Sequence, residues 1–130
     1  MSEHDEQAAL FRWAAMSEAR WPELRWLFAV PNGGHRHKAT AGRLKAEGVK
    51  AGVPDVIFPI PFGPYAGLAI EMKHGKNRPT ASQVAWLDGL AAAGHCTAVC
   101  YGWEEARAVI EHYLGLGRPA RLGGIINDAV

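Results

Sequence analysis

Cysteine is scarce in this chain: only two occur, Cys96 and Cys100, among 130 residues. That excludes a disulfide framework, and no zinc-binding spacing is present. The two sit in the apolar run Cys96-Thr97-Ala98-Val99-Cys100-Tyr101. If that run is a strand, both point to one face yet lie too far apart along it to bond easily, so buried free thiols are expected. Long apolar stretches are also missing, so no segment reaches membrane-spanning length. The N-terminus, Met1-Ser2-Glu3-His4-Asp5-Glu6, is acidic and has no apolar signal core. A soluble protein of a reducing, cytoplasmic compartment, with no membrane partner, is expected. Nor is there an excess of one charge: 14 Lys and Arg stand against 13 Asp and Glu, a net charge of +1. This argues against a uniformly basic nucleic-acid-binding surface, though not against a local patch. Such a patch exists: from Arg36 to Lys50 the only carboxylate is Glu47, among Arg36, His37, Lys38, Arg43, Lys45 and Lys50, with His35 just before.

What the chain does contain is enough apolar material, 48% of residues, for one compact core without staples. The expected domain spans residues 1–114, followed by a Gly- and Pro-rich tail, 115–130, expected to be loosely held. A helix is predicted from about Glu3 to Ala19, capped by Ser2, with Leu10, Trp13, Ala14 and Ser17 on one face. Trp21-Pro22 breaks it. The apolar run Leu24 to Val30 is predicted to be a strand, followed by turn chemistry in Pro31-Asn32-Gly33-Gly34. A basic helix is expected from His37 to Glu47. Strands over Val56 to Ile60 and Gly67 to Lys73 should form a hairpin across Pro61-Phe62-Gly63-Pro64. A helix from Thr80 to Ala93 should turn Val84, Leu87, Leu90 and Ala91 inward and stop at Gly94. A last strand, Cys96 to Tyr101, and a last helix, Trp103 to Leu114, complete the order α-β-α-β-β-α-β-α. That order implies an α/β fold, a mixed sheet flanked by helices. Trp13, Trp26 and Trp86 are assigned to the core rather than to base stacking.

Chemistry concentrates in Pro54-Asp55 and Glu71-Met72-Lys73. Asp55 opens one strand of the hairpin, while Glu71 and Lys73, two apart, share a face of the other. Two carboxylates on neighbouring strands make a hard oxygen site suited to Mg²⁺ or Mn²⁺, to which the Met72 carbonyl could add an oxygen. Such an ion polarises a phosphate and acidifies water, and Lys73 beside it could orient that water or offset charge developing on phosphorus. Singly, Glu-x-Lys is a common solvated pair and Pro-Asp an ordinary turn signal; their combination in hairpin order carries the argument. Gln83 has two readings of equal weight: partner to Thr80 in a capping box, or an amide near the attacking water or a phosphate. Glu6 shares a face with Leu10 and Trp13 and could turn inward as a further metal ligand, whereas Glu3 is read as a first-turn acid serving the helix dipole. Arg36, Lys38, Arg43, Lys45 and Lys50 are candidate DNA-backbone contacts.

Several motifs, in order, then converge. Glu6-Gln7 precedes Leu10-Phe11-Arg12-Trp13. Pro31-Asn32-Gly33-Gly34, Leu44-Lys45-Ala46-Glu47-Gly48, Gly52-Val53-Pro54-Asp55, Glu71-Met72-Lys73, and Gln83 with Trp86-Leu87 follow. In these residues the chain resembles the VRR-NUC family, the virus-type replication–repair nucleases of the PD-(D/E)xK superfamily, from about Glu3 to Leu114. The resemblance implies a restriction-endonuclease-like fold and Mg²⁺- or Mn²⁺-dependent hydrolysis of DNA. By position it makes Asp55 and Glu71 metal ligands and Lys73 the catalytic lysine, with Glu6 and Gln83 completing the site. Stand-alone members of this size are phage or bacterial proteins, associated with cleavage of branched DNA and with homodimers like junction resolvases. Two other readings compete: a nuclease-like fold that binds DNA without cutting, and a small α/β protein whose motifs match by accident. Cleavage separates the first from the nuclease, and metal binding separates the second.

Overall fold

A computed structural model describes residues 1–31, 38–120 and 123–124, with the backbone alone at Lys38 and Ala39. The turn at Asn32-Gly33-Gly34, the residues His35, Arg36 and His37, and the end of the tail lie outside these described residues. Helix α1 covers Glu3–Met16, and Ser2 and Asp5 form a reciprocal capping box at its start. Next comes a short 3-10 helix, Pro22–Trp26, and then strand β1, Phe28–Ala29. Helix α2 is Lys38–Ala46, and strands β2 and β3 are Val56–Phe58 and Leu68–Lys73. Helix α3, Ala81–Ala92, strand β4, Cys96–Tyr101, and helix α4, Trp103–Leu114, follow.

Sheet order is β1-β2-β3-β4. β1 and β3 each run antiparallel to β2 between them, and β4 joins β3 in parallel after the α3 crossover. Leu68, Ile70 and Met72 of β3 meet Val56 and Phe58 of β2 in one core with Leu10 and Ala14 of α1 and Ala106, Ile110 and Tyr113 of α4. Alternation along β3 turns Ala69, Glu71 and Lys73 to the opposite face, and α3 packs on β3 and β4. Both cysteines are free, Cys100 buried and Cys96 half-buried. Burial pushes the Cys100 thiol up to about 12, so it is inert as a nucleophile at neutral pH.

Several expectations differ from the structure. Leu24 to Val30 is not one strand. Leu24 and Leu27 are both buried, and a separation of three places them on one side of a tight helical turn but on opposite faces of a strand. With Pro22 fixing φ at the start, the chain takes the 3-10 turn and keeps only Phe28–Ala29 as strand. Trp26, assigned to the core, is 54% exposed at the end of that turn. In α3 only Leu87 is fully buried, Leu90 is half-buried, and Val84 and Ala91 face solvent, because the helix rests on two strands only. β2 stops at Phe58, since Pro59 and Pro61 lack the N–H a ladder needs. The first tail residues are tied down: Gly63 N–H donates to the Gly117 carbonyl, and Arg118 donates to that of Pro61.

Candidate active site

The hairpin register pairs Val56 with Ile70, so the next position outward sets Asp55 opposite Glu71. The Asp55 Oδ2 accepts the Met72 N–H at 2.9 Å, fixing the carboxylate against β3. Lys73 Nζ lies 3.6 Å from Glu71 Oε2. The structure therefore brings Asp55, Glu71 and Lys73 together, with Met72 between them and its side chain buried in the core on the other face. Glu71 is 1% exposed, and its Oε1 is buried with no hydrogen-bond partner among the described residues. Burial, and then the neighbouring Asp55 carboxylate, push the Glu71 carboxyl from an ordinary 4.5 to about 8, with Lys73 pulling the other way.

A buried carboxylate oxygen with no donor is costly unless a cation arrives. Two adjoining carboxylates and a nearby backbone carbonyl are the oxygen-only donors that Mg²⁺ or Mn²⁺ prefers, so the residues fit such an ion. No group of three or more His, Cys, Asp or Glu able to hold a metal occurs among the described residues, so waters and substrate oxygens would complete the shell.

This arrangement has a measurable thermodynamic consequence without metal. The native state holds the Glu71 proton more tightly than the unfolded chain does. Its contribution to stability is thus complete below about 4.5 and is lost as pH rises through about 8. We expect Glu71→Gln, in EDTA, to be more stable than wild type by roughly 1–3 kcal/mol at alkaline pH, with the gap closing towards acid pH. Calorimetric melting at several pH values checks this; a variant less stable than wild type in alkaline EDTA would contradict it.

Gln83 takes its capping role. Thr80 N–H donates to Gln83 Oε1 at 2.8 Å, and Gln83 N–H donates to Thr80 Oγ1 at 3.3 Å. That use of Oε1 leaves the amide nitrogen as the group able to donate elsewhere. Glu6 is engaged away from the carboxylate pair: its Oε2 accepts the Trp103 N–H at 2.6 Å, at the start of α4. Gly102 there has φ +99°, and a Cβ on it would lie 3.3 Å from Glu6 Oε2. Glu6 so caps a helix whose own N-cap offers no side-chain bond. Among the described residues no hydrogen bond or ion pair joins Glu6 to Asp55, Glu71 or Lys73. Both features sit at one end of the sheet, however, where Tyr101 pairs with Lys73. Arg43, Lys45 and Lys50 are exposed on and after α2. Arg36 and the Lys38 side chain lie outside the described residues.

Sequence reasoning missed what positions Asp55. Trp86 Nε1 donates to the Ala51 carbonyl at 3.0 Å. Beside it Gly52, at φ +87°, approaches α3 so closely that a Cβ would meet the Ser82 carbonyl carbon at 2.7 Å. The loop leading into Asp55 is thereby docked on the first turns of α3. The positions of Trp86 and Gly52 in one motif set were visible in the sequence, but their mutual contact was not.

The VRR-NUC domain family model matches residues 1–104. The chain belongs to the VRR-NUC domain family. A solved structure described as a VRR-NUC domain protein shares 31% identity with this VRR-NUC chain. Its match covers 91% of this chain and 92% of the other, with a TM-score of 0.77. No curated protein matches. Family and fold together place this VRR-NUC domain among nuclease-type proteins, with the carboxylate pair on its α3-facing sheet surface. No helix among the described residues is long and apolar enough to cross a membrane.

Proposed function

We propose that this chain is a Mg²⁺- or Mn²⁺-dependent deoxyribonuclease that hydrolyses phosphodiesters in branched or otherwise irregular DNA. The observation that carries the reading is the buried, partnerless Glu71 Oε1 beside Asp55, with Lys73 on the other Glu71 oxygen. Asp55, Glu71 and the Met72 backbone carbonyl would hold the ion. A bound divalent cation supplies acidified water and a polarised phosphate. Lys73 orients the attacking water and offsets negative charge developing on the phosphoryl oxygens. Asp55 is held in place by the Met72 N–H, so it meets the substrate with little reorganisation. Gln83 can offer its amide N–H from the first turn of α3, and Glu6 acts from α1 by fixing the start of α4. Arg43, Lys45 and Lys50, with Arg36 and Lys38, track the phosphate backbone. Recognition then rests on DNA shape, and a homodimer would present two sites and twice the basic surface to a junction.

The test is a panel of labelled DNAs: four-way junction, flap, linear duplex and single strand, each with Mg²⁺, Mn²⁺ or EDTA. We expect metal-dependent cutting with branched substrates preferred. Binding without cutting under every metal condition would replace this reading with that of a non-cleaving DNA-binding domain.

A further inference from the structure

Among the described residues β1 is the edge strand of the sheet on the side of the carboxylate pair, and its outward residues are unusual. Phe28 is 47% exposed and Trp26, just before it, is 54% exposed. Register fixes where Phe28 points. It pairs with Ile57, which pairs with Ala69, and Ala69 shares its face of β3 with Glu71. Phe28 therefore extends the catalytic face of the sheet out to its edge, two strands from Glu71. The Arg25 guanidinium lies over the Trp26 ring at 4.9 Å from its centroid, and Arg20 lies over Trp21 at 5.1 Å. Neither arginine forms an ion pair with a carboxylate among the described residues. A guanidinium stacked on an indole keeps its N–H edge available for phosphate.

An exposed ring, Phe28, on a face that would carry the scissile phosphate, with a second exposed ring and its stacked guanidinium two residues before it in the chain, suits one ligand chemistry. We infer that Trp26 and Phe28, with Arg25, form a stacking platform for unpaired nucleotides adjoining the cleavage site. Bases offer π-faces whatever their sequence, and duplex DNA keeps those faces internal. The platform thus selects substrates with frayed, flapped or single-stranded segments. The inference rests on the nuclease reading for its position next to a scissile phosphate, but the stacking itself is a binding property and is tested without cutting.

The experiment measures anisotropy of a labelled flap, a labelled single-stranded oligonucleotide and a blunt duplex, with the whole chain in EDTA. Wild type is compared with Trp26→Ala, Phe28→Ala and Trp26→Tyr. Both alanine variants should weaken flap and single-strand binding by about tenfold, the scale of one lost base–aromatic stack, and leave duplex binding within about twofold. Trp26→Tyr, which keeps a ring, should stay near wild type. Abasic residues in the unpaired segment should reproduce the loss with wild-type protein. Equal losses on duplex and single strand, unchanged binding in the alanine variants, or failure of wild type to prefer unpaired DNA would each overturn the platform. A change of sedimentation coefficient in Trp26→Ala, with DNA binding intact, would instead assign the patch to a protein interface. Absence of cleavage in the panel above leaves these outcomes readable, so failure of the nuclease reading and failure of the platform are told apart.

Discussion

Lys73→Ala should lower the rate of metal-dependent cleavage by on the order of 10²–10³-fold, the usual cost of removing one group that stabilises transition-state charge. The fold should survive, because Lys73 ends β3 and its side chain, though largely buried, lies outside the core formed by Leu68, Ile70 and Met72. Metal binding should survive as well, since the lysine is a cation and cannot be a ligand. Some loss of stability is expected, because Glu71 loses its ion partner; loss of rate measured well below the variant's melting temperature assigns the effect to chemistry. Lys73→Arg is the informative companion. It keeps the charge but replaces a compact, mobile ammonium by a planar fork that needs more room beside Glu71, so only partial rescue is expected. Single-turnover rates and calorimetric melting of both variants check the prediction. Cleavage by Lys73→Ala at the wild-type rate would show that the site is wrongly assigned.

Gly52→Ala should be severely damaging for so small a substitution. Its backbone occupies φ +87°, disfavoured for any residue with a Cβ, and the added methyl would sit 2.7 Å from the Ser82 carbonyl carbon and 2.8 Å from its oxygen. Neither atom can swing aside, because Ser82 lies in the first turn of α3. A destabilisation of roughly 2–4 kcal/mol is expected from strain and overpacking together. Activity should fall further than stability explains. The loop through Ala51 and Gly52 delivers Asp55 to Glu71, and Trp86 holds the same loop by its bond to the Ala51 carbonyl. Displacing that loop moves a carboxylate by a fraction of an ångström where geometry sets the rate. Trp86→Phe, which removes the N–H donor together with the five-membered ring, should reproduce the rate loss with a smaller stability loss than Gly52→Ala. Denaturant melts beside cleavage at saturating metal separate the two; a Gly52→Ala protein of wild-type stability would contradict the close approach.

The carboxylate pair was legible in the sequence because strand periodicity is rigid. Once Val56 to Phe58 and Leu68 to Lys73 are strands joined by a turn, Glu71 and Lys73 must share a face and Asp55 must open the neighbouring strand. Capping was legible for the same local reason: Ser2 with Asp5 and Thr80 with Gln83 each act within one helical turn. What the sequence hid was long-range. The partner of Glu6 is Trp103, at the far end of the chain, and nothing near Glu6 announces it. The bond from Trp86 to Ala51 spans a fold, not a motif. The 3-10 turn at Pro22–Trp26 was obscured by an apolar run that reads as a strand until the three-residue spacing of Leu24 and Leu27 is weighed. That misreading hid the exposure of Trp26.

Glu71 connects stability with function. Its burial beside Asp55 is unfavourable for a lone protein and favourable for one that binds a cation, so the site is expected to be weaker without metal than its own amide variant. The direct test of the whole account is single-turnover cleavage of one labelled flap by wild type and Asp55→Asn, in Mn²⁺ and in EDTA. Metal-dependent cutting by wild type, reduced at least 10²-fold in Asp55→Asn at unchanged fold, is the predicted result. Cutting that persists in EDTA, or that Asp55→Asn retains in full, would contradict a metal-dependent nuclease centred on Asp55, Glu71 and Lys73.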